Sequence, residues 1–442
     1  MLKTFHIGGI HPPECKLSAG GKPVVLPVPG QVVIPLSQHA GAPAKLLVAK
    51  GDEVRTGMLI AEASGFISAR IHSSVSGVVS KIDDVADAGG YRKQAVVIDV
   101  KDDVWEDAIL REGQTLPTDD LPAEEIIERI KKAGIVGLGG AMFPTHVKLT
   151  PPPGCKADVL IINGAECEPY LTADHALMLE KSEEILTGVR LLMQACQVER
   201  ACIGIENNKR DAIEKLSALA PHYPGVEIVP LKVCYPQGGE KQLIDAITGR
   251  RVASGALPIS EGAIVDNIGT VFAVYEAIVR NKPLIERVVS VTGKQIKNPC
   301  NLRVRIGTPV RHLIEYAGGL PEDTGKIIGG GPMMGRALIN ADIPVTKGTS
   351  GILLIASQEA QRQSSRNCIR CAKCVAICCM GLEPNYLMNI SEFKQWELMK
   401  KNRVMDCIEC GSCSYTCPAH RPILDHIRMG KNEVRKQEAR NA

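Results

Sequence analysis

A chain of 442 residues, 45% of them hydrophobic, can bury the cores of roughly two to four domains, which excludes a disordered or fibrous protein. Lys plus Arg (52) nearly balance Asp plus Glu (49), and a net charge of +3 gives no electrostatic footprint for nucleic acid. The longest apolar stretches, 24–36 and 351–356, are short or broken by proline, and none reaches the roughly 18–20 residues that span a bilayer. The first ten residues lack the long apolar core and small-residue cleavage site of a secretory signal, so a soluble or peripheral cytoplasmic protein is expected. Sixteen cysteines exclude little by number, but disulfide scaffolds are short chains, and eight of these cysteines fall into two tight sets. Cluster or metal ligation fits that crowding. The other eight, Cys15, Cys155, Cys167, Cys196, Cys202, Cys234, Cys300 and Cys379, are scattered and read as inert thiols.

From Gln31 to about Val100, short β-branched runs alternate with glycine turns, which predicts a small all-β unit within residues 1–100. The phrase Lys50-Gly-Asp-Glu-Val-Arg-Thr-Gly-Met-Leu-Ile60, followed by Ser74-Val-Ser-Gly-Val-Val79, resembles a barrel-sandwich hybrid of the biotinyl/lipoyl type. Ala63-Ser64-Gly65-Phe66 stands where those domains carry a modified lysine, so a docking or structural module without an attached group is expected. An acidic, proline-dotted stretch, 101–122, reads as a linker. Ala123 to Lys132 then reads as an amphipathic helix opening a new domain. Strand-like runs at 158–162, 201–205 and 227–231 alternate with helix-like runs at 176–193 and 209–219, the pattern of an α/β sheet with crossover helices over residues 123–285. A small β-grasp-like module is expected over 286–345, with one helix near 310–317. The glycine run Ile328-Gly-Gly-Gly-Pro-Met-Met-Gly335 supplies its turns, since no strand-to-helix continuation follows it as a phosphate loop requires. Residues 358–363 read as helical and lead into a cysteine domain over 358–430.

Cys368-x2-Cys371-x2-Cys374-x3-Cys378 and Cys407-x2-Cys410-x2-Cys413-x3-Cys417-Pro418 share one spacing, with first cysteines 39 residues apart. This is the bacterial ferredoxin pattern for two [4Fe-4S] clusters, in which the fourth cysteine of each run ligates the other cluster. Cys368, Cys371, Cys374 and Cys417 are therefore assigned to one cluster, and Cys407, Cys410, Cys413 and Cys378 to the other. The alternative of two zinc sites is weaker, because zinc seldom needs third and fourth cysteines at these offsets. Cys379 replaces the usual proline after the first run and is a lesser alternative ligand.

Gly134-Ile-Val-Gly-Leu-Gly-Gly-Ala-Met-Phe-Pro-Thr-His-Val-Lys148 is a glycine-rich stretch whose amides can approach a phosphate or ring face, with Lys148 supplying charge. Asn163-Gly-Ala-Glu-Cys-Glu-Pro169, Gly238-Gly-Glu-Lys-Gln-Leu-Ile-Asp-Ala-Ile-Thr-Gly-Arg250 and Asp266-Asn-Ile-Gly-Thr270 follow. In this order they resemble the NADH-oxidising flavoprotein subunit of respiratory complex I and its relatives. With Thr4-Phe-His-Ile-Gly-Gly-Ile-His-Pro-Pro-Glu14 and the paired cysteine runs, nearly the whole chain is similar to the RnfC family of the Rnf electron-transport complex. That resemblance implies an α/β multidomain fold: a barrel-sandwich hybrid, a Rossmann-like FMN/NADH domain, an SLBB-like β-grasp module and a ferredoxin-like two-cluster helical domain. It implies that Gly137, Gly139, Gly140, Lys148, Asn163, Asn267 and Thr270 line FMN. Phe143 would stack on the adenine of NAD, and Glu168 and Glu240 would face the nicotinamide dinucleotide. Facing a ribose 2′-hydroxyl, Glu240 would repel a 2′-phosphate and favour NADH over NADPH. The chain departs from the complex I pattern at Met142, Ala165 and Asp266, and Glu166 and Asp174 read as capping or solvated carboxylates.

The expected function is electron transfer between NADH, FMN and two clusters in an ion-translocating NAD:ferredoxin oxidoreductase, with the flavin carrying the chemistry and no catalytic side chain required. The partners implied are membrane-embedded Rnf subunits and a ferredoxin-reducing iron–sulfur subunit, with the chain peripheral on the cytoplasmic side of the inner membrane. Two other readings are a soluble flavin and iron–sulfur reductase of the cobalamin-reductase type, and a non-enzymatic relay with a vestigial nucleotide domain. The barrel-like module ahead of the flavin domain favours the Rnf type. Retention of Lys148, Asn163, Glu168, Glu240 and Asn267 argues against the relay.

Overall fold

The computed structural model describes residues 2–118 and 121–441. The N-terminal unit builds two small antiparallel sheets. In the larger, Gln31–Pro35, Arg92–Val100, Gly77–Ala86 and Glu53–Val54 lie side by side. Val32 and Ile34 point inward with Val79, Val96 and Ile98, all fully buried, as the period of two along a half-buried strand requires. The long hairpin turns at Asp87, whose carboxylate accepts the amides of Gly89 and Tyr91. The stretch read as a linker runs back across the molecule: Leu110 and Leu116 donate backbone hydrogen bonds to Arg280 and Val279. Trp105 lies between the guanidinium groups of Arg111 and Arg305.

Helix α1 (Ala123–Lys132) buries Ile126 and Ile130, and its acidic first turn and basic last turn complement the helix dipole. It packs beside a four-stranded parallel sheet formed by β1 (Val159–Asn163), β2 (Ala201–Glu206), β3 (Val226–Leu231) and β4 (Ala263–Asn267), in the order β3-β2-β1-β4. All six residues of β2 are buried, the mark of a strand covered on both faces. The covering helices are α2 (Ala173–Glu180), α3 (Ser182–Cys196), α4 (Arg210–Leu219), α5 (Glu240–Thr248) and α6 (Ile268–Val279). The helical run expected over 176–193 is two helices, because the backbone leaves helical geometry at Lys181 and the Ser182 hydroxyl takes the carbonyl of Met178. Helices α3 and α6 approach closely at Gly188, where a Cβ would sit 2.6 Å from the Val271 carbonyl oxygen.

The third unit is a six-stranded mixed sheet in the order Val24–Val25, Cys300–Arg305, Glu286–Thr292, Gly351–Ala356, Thr324–Gly329, Arg336–Ala337, with the helix Val310–Tyr316 packed on it. Two of its strands lie outside the stretch 286–345. Gly351–Ala356 runs parallel to Glu286–Thr292 at the centre, and Val24–Val25 comes from the N-terminal segment. The glycine run 328–335 forms the turn between the last two strands. Lys347, 1% exposed, joins three units: its ammonium donates to the carbonyls of Arg70 and Gly134, and its amide to Gln38. Burial lowers its pKa to about 7.

The C-terminal unit is helical, with Pro384–Glu392, Trp396–Lys401 and Ile423–Asn441 closing on Leu387, Met399, Ile427 and Val434. The helix expected at 358–363 is a single turn, Ser357–Ala360. Among the described residues no helix is long and apolar enough to cross a membrane.

Candidate functional site

The parallel sheet starts at β1, runs outward through β2 and β3, and returns to β4 on the other side of β1. The strand order therefore reverses between β1 and β4, and in open α/β sheets the crevice at the carboxyl ends of such a pair is where ligands bind. Asn163 ends β1, Asn267 ends β4, and the two are register partners across that crevice. The Asn163 amide donates to the Gly238 carbonyl at 2.8 Å, and its oxygen accepts from the Ala165 amide. Asn267 caps α6 by accepting from the Gly269 amide at 2.9 Å and donates to Asp174 at 2.7 Å. The glycine-rich loop lies over this helix start: the Leu138 amide donates to the Thr270 hydroxyl at 2.9 Å, and the Gly137 amide to the Phe143 carbonyl at 2.8 Å. A Cβ on Gly139 would stand 3.3 Å from Asn267, and one on Gly238 would stand 3.2 Å from the Asn163 amide, whereas Gly140, at φ +128°, faces open space. The half-buried Met142, a departure from the complex I pattern, anchors the loop: its carbonyl accepts from Ala40 and its side chain packs on Gly348.

Lys148 reaches the same edge from the helical turn Thr145–Lys148. Its ammonium lies 2.6 Å from the Val265 carbonyl, 3.1 Å from Glu240 and 4.0 Å from Asp266. Burial works against its charge, but the carboxylates of Asp266 and Glu240 outweigh it and raise its pKa. Burial also lifts Asp266 to about 6, with Lys148 opposing, and its Oδ2 has no hydrogen-bond partner. Glu240 is the first residue of α5, so it occupies the helix's first turn as well as the crevice edge. The Glu166 carboxylate accepts the amides of Asp174 and His175 at the start of α2, a capping role. Asp174 is instead buried, and burial together with Glu166 pushes its pKa up to about 7.

Glu168 lies deeper. Its Oε1 accepts the amides of Met333 and Met334 from the glycine turn of the six-stranded sheet. Burial raises its pKa against those two bonds, and the Tyr235 hydroxyl also faces it. Tyr235, 2% exposed, donates at 2.8 Å to the Cys410 carbonyl, linking the crevice wall to the cysteine domain. Gln242 of α5 makes a second link, donating to the Cys379 carbonyl. Lys16 donates all three of its protons to the carbonyls of Glu166, Glu168 and Leu171, fixing the loop after β1. The segment 3–10 runs between the units: Ile10 exchanges both backbone hydrogen bonds with Tyr235, and the Gly9 amide donates to Ile377. Gly8 is required there, since its φ is +71° and a Cβ would lie 2.5 Å from the Ile377 carbonyl oxygen. Sequence patterns did not single out Tyr235, Gln242 or Lys16.

The cysteines gather in two sets. Cys368, Cys371, Cys374 and Cys417 line one cavity with Asn385 and Met388. Cys378 lies close enough to Cys407, Cys410 and Cys413 for these thiols to perturb one another's ionisation. The duplication extends to the backbone, as Arg370 and Ala372 of the first run and Glu409 and Gly411 of the second, each pair 39 residues apart, have positive φ. Cys379 is buried, its thiol directed at Cys410. Among the described residues, no three His, Cys, Asp or Glu side chains converge as ligands of a single ion do.

Residues 3–103 match the family model described as the RnfC barrel sandwich hybrid domain, 130–276 the Nuo51 FMN-binding domain, and 288–337 the SLBB domain. The RnfC-type subunit of the proton-translocating ferredoxin:NAD(+) oxidoreductase complex of Clostridium ljungdahlii is 46% identical over 98% of this chain and 95% of its own length. The chain belongs to the RnfC family. Its relative in the Na(+)-translocating ferredoxin:NAD(+) oxidoreductase complex of Acetobacterium woodii is 45% identical, covering 97% of this chain and 96% of that one. In Rhodobacter capsulatus, the corresponding subunit of an ion-translocating oxidoreductase complex is 39% identical over 99% of this chain and 85% of its own length. Among solved structures, a chain of a NAD+-reducing [NiFe]-hydrogenase aligns at TM-score 0.49 with 17% identity, over 69% of this chain and 63% of that one. The mixed α/β architecture thus contains the barrel-sandwich, FMN-type and SLBB units that the sequence led us to expect.

Proposed function

We propose that this RnfC-family chain is the NADH-oxidising or NAD-reducing electron-transfer subunit of an ion-translocating ferredoxin:NAD oxidoreductase complex, peripheral on the cytoplasmic side of the membrane. The observation that carries the reading is 45–46% identity, over nearly the full chain, to subunits of complexes with that activity. The crevice fits FMN: Gly139 and Gly238 lie flush against Asn267 and Asn163, Gly140 leaves an open face, and Asp266 offers a buried oxygen without a partner. In this reading Gly137, Gly139, Gly140, Lys148, Asn163, Asn267 and Thr270 hold FMN, Phe143 receives the adenine of NAD(H), and Glu168 and Glu240 face the dinucleotide. The two sets of four thiols fit two [4Fe-4S] clusters with exchanged fourth ligands.

When bound, FMN accepts a hydride's two electrons and releases them singly, and iron–sulfur clusters carry single electrons. The chain's own part is position. Asn163 and Asn267 set the crevice floor from adjacent strands, Lys16 fixes the loop carrying Glu168, and Tyr235, Gln242 and residues 3–10 hold the second cysteine set against the crevice wall. No side chain is needed as general acid or base. The match over residues 3–103 favours this reading over a soluble cobalamin-reductase-type enzyme. Its test is anaerobic purification followed by cofactor analysis and NADH titration. Bound FMN with two clusters per chain, bleached by NADH, supports the reading, and a flavin-free protein indifferent to NADH after FMN is supplied rejects it.

A further inference from the structure

We propose that the exposed edge of the first cysteine set is a docking face for an acidic surface on another subunit of the complex, through which electrons leave or enter the chain. This rests on the electron-transfer reading above and adds the face and the charge of the partner.

The two cysteine sets are duplicates with opposite surroundings. Ile408 of the second run packs with Phe5 and Cys379 in the joint between the cysteine domain and the segment that clasps the flavin-type domain. Its counterpart 39 residues earlier, Ile369, is 68% exposed. Cys368 and Cys371 beside it are exposed too, while no cysteine of the second set is. The same face that is an interface in one copy is therefore bare in the other, and it is the edge where the cysteine pair opens to solvent.

The charges differ in the same sense. Between Gln361 and Leu382 the sequence contains Arg362, Arg366, Arg370 and Lys373 and no acidic residue. Residues 361–373 are all exposed. Arg362 pairs with Asp425, whereas among the described residues Arg366, Arg370 and Lys373 make no ion pair. In the second run the counterpart of Arg370 is Glu409, which is neutralised within the chain by Arg428 and Lys431. An apolar centre ringed by unpaired cations fits a protein surface with an apolar spot and a carboxylate rim, and such complementarity steers encounter and sets orientation. Electrons cross singly, two for each NADH oxidised or NAD+ reduced, and no bond is made.

The test uses the full-length holoprotein and washed membranes from cells that make the remaining subunits but not this chain. Association should fall about tenfold or more as KCl rises from about 50 to 300 mM. The triple variant Arg366→Glu, Arg370→Glu, Lys373→Glu should bind roughly ten- to a hundredfold more weakly at low salt. Arg366→Glu alone, outside the ligand loop, should give a smaller loss in the same direction if the triple variant assembles clusters poorly. Wild-type affinity and salt profile in both variants would overturn the proposal. Equal binding of the wild type to protein-free vesicles of anionic phospholipid would also overturn it, because the occupant would be lipid. Reduction of the chain's clusters by NADH, measured without membranes, reports the electron-transfer reading separately.

Discussion

Lys148 gives the sharpest perturbation of the crevice. Its ammonium is the only cation shown near Asp266 among the described residues, 4.0 Å away, and the Asp266 side chain is 1% exposed with one oxygen unpartnered. Replacing Lys148 by Met leaves that carboxylate buried without a counter-charge. Breaking a buried pair by removing one partner costs about 3–5 kcal/mol, and the partly exposed lysine and 4.0 Å separation point to about 3 kcal/mol or less. The pH dependence follows from Asp266, whose pKa is raised from 3.8 to about 6 by burial. A carboxyl with a raised folded pKa holds its proton longer in the native state. Its contribution is fully favourable below the unfolded value and is lost as pH rises through the folded one. Without Lys148 that folded value rises further. Lys148→Met should therefore cost little stability at pH 5 and the full amount at pH 8, with Asp266→Asn on top recovering most of the loss at pH 8. FMN retention should drop in the single variant and stay low in the double. Melting curves and flavin content measured at both pH values provide the assay. An equal stability loss at pH 5 and pH 8, or no recovery in the double variant, would refute the reasoning.

Cys378→Ser should damage the cluster of the second set and spare the first, and Cys417→Ser the reverse, as read by EPR of the reduced protein. Glu240→Gln should raise KM for NADH roughly ten- to a hundredfold, the value of a lost 1.5–3 kcal/mol charged hydrogen bond, with FMN content unchanged. Unchanged NADH affinity would leave Glu240 only its ion pair with Lys148 and its place in the first turn of α5. Asp174 has a pKa raised to about 7 by burial and by Glu166, so its contribution to stability falls as pH rises through 7. Asp174→Asn should accordingly become more stable than its parent as pH rises through 7, and a pH-independent difference in melting temperature would contradict that.

Local pattern carried much of the fold. The apolar spacing of Ile126 and Ile130 marked α1 to the residue, and the β-branched runs marked β1 to β4 within about a residue or two. The break at Lys181 escaped because it depends on the Ser182 hydroxyl competing for the Met178 carbonyl, which no periodicity records. The strand Gly351–Ala356 was noticed only as an apolar run, and its place at the centre of the mixed sheet is a long-range pairing. At the site, Asn163 and Asn267 were legible through the motifs around them, and their pairing across the crevice followed only from strand order. Lys16, Tyr235 and Gln242 were not legible, because each acts on partners more than a hundred residues away. A faint signal existed for Tyr235, an aromatic three residues before Gly238-Gly239 in a chain that is 3% aromatic. The phrase 4–14 marked the family, but its physical work, clasping the β3–α5 connection to the first cysteine run, is a property of the assembled chain.

On this reading the crevice and the cysteine sets form one electron path from NADH. Rapid mixing of the FMN-loaded chain with NADH under anaerobic conditions tests it most directly, with flavin absorbance and freeze-quenched EPR followed in parallel, and with flavin-depleted protein as the comparison. NADH should reduce flavin and clusters in the loaded protein and leave the clusters oxidised in the depleted one, while dithionite reduces the clusters in both. Cluster reduction by NADH at an equal rate without flavin would contradict it.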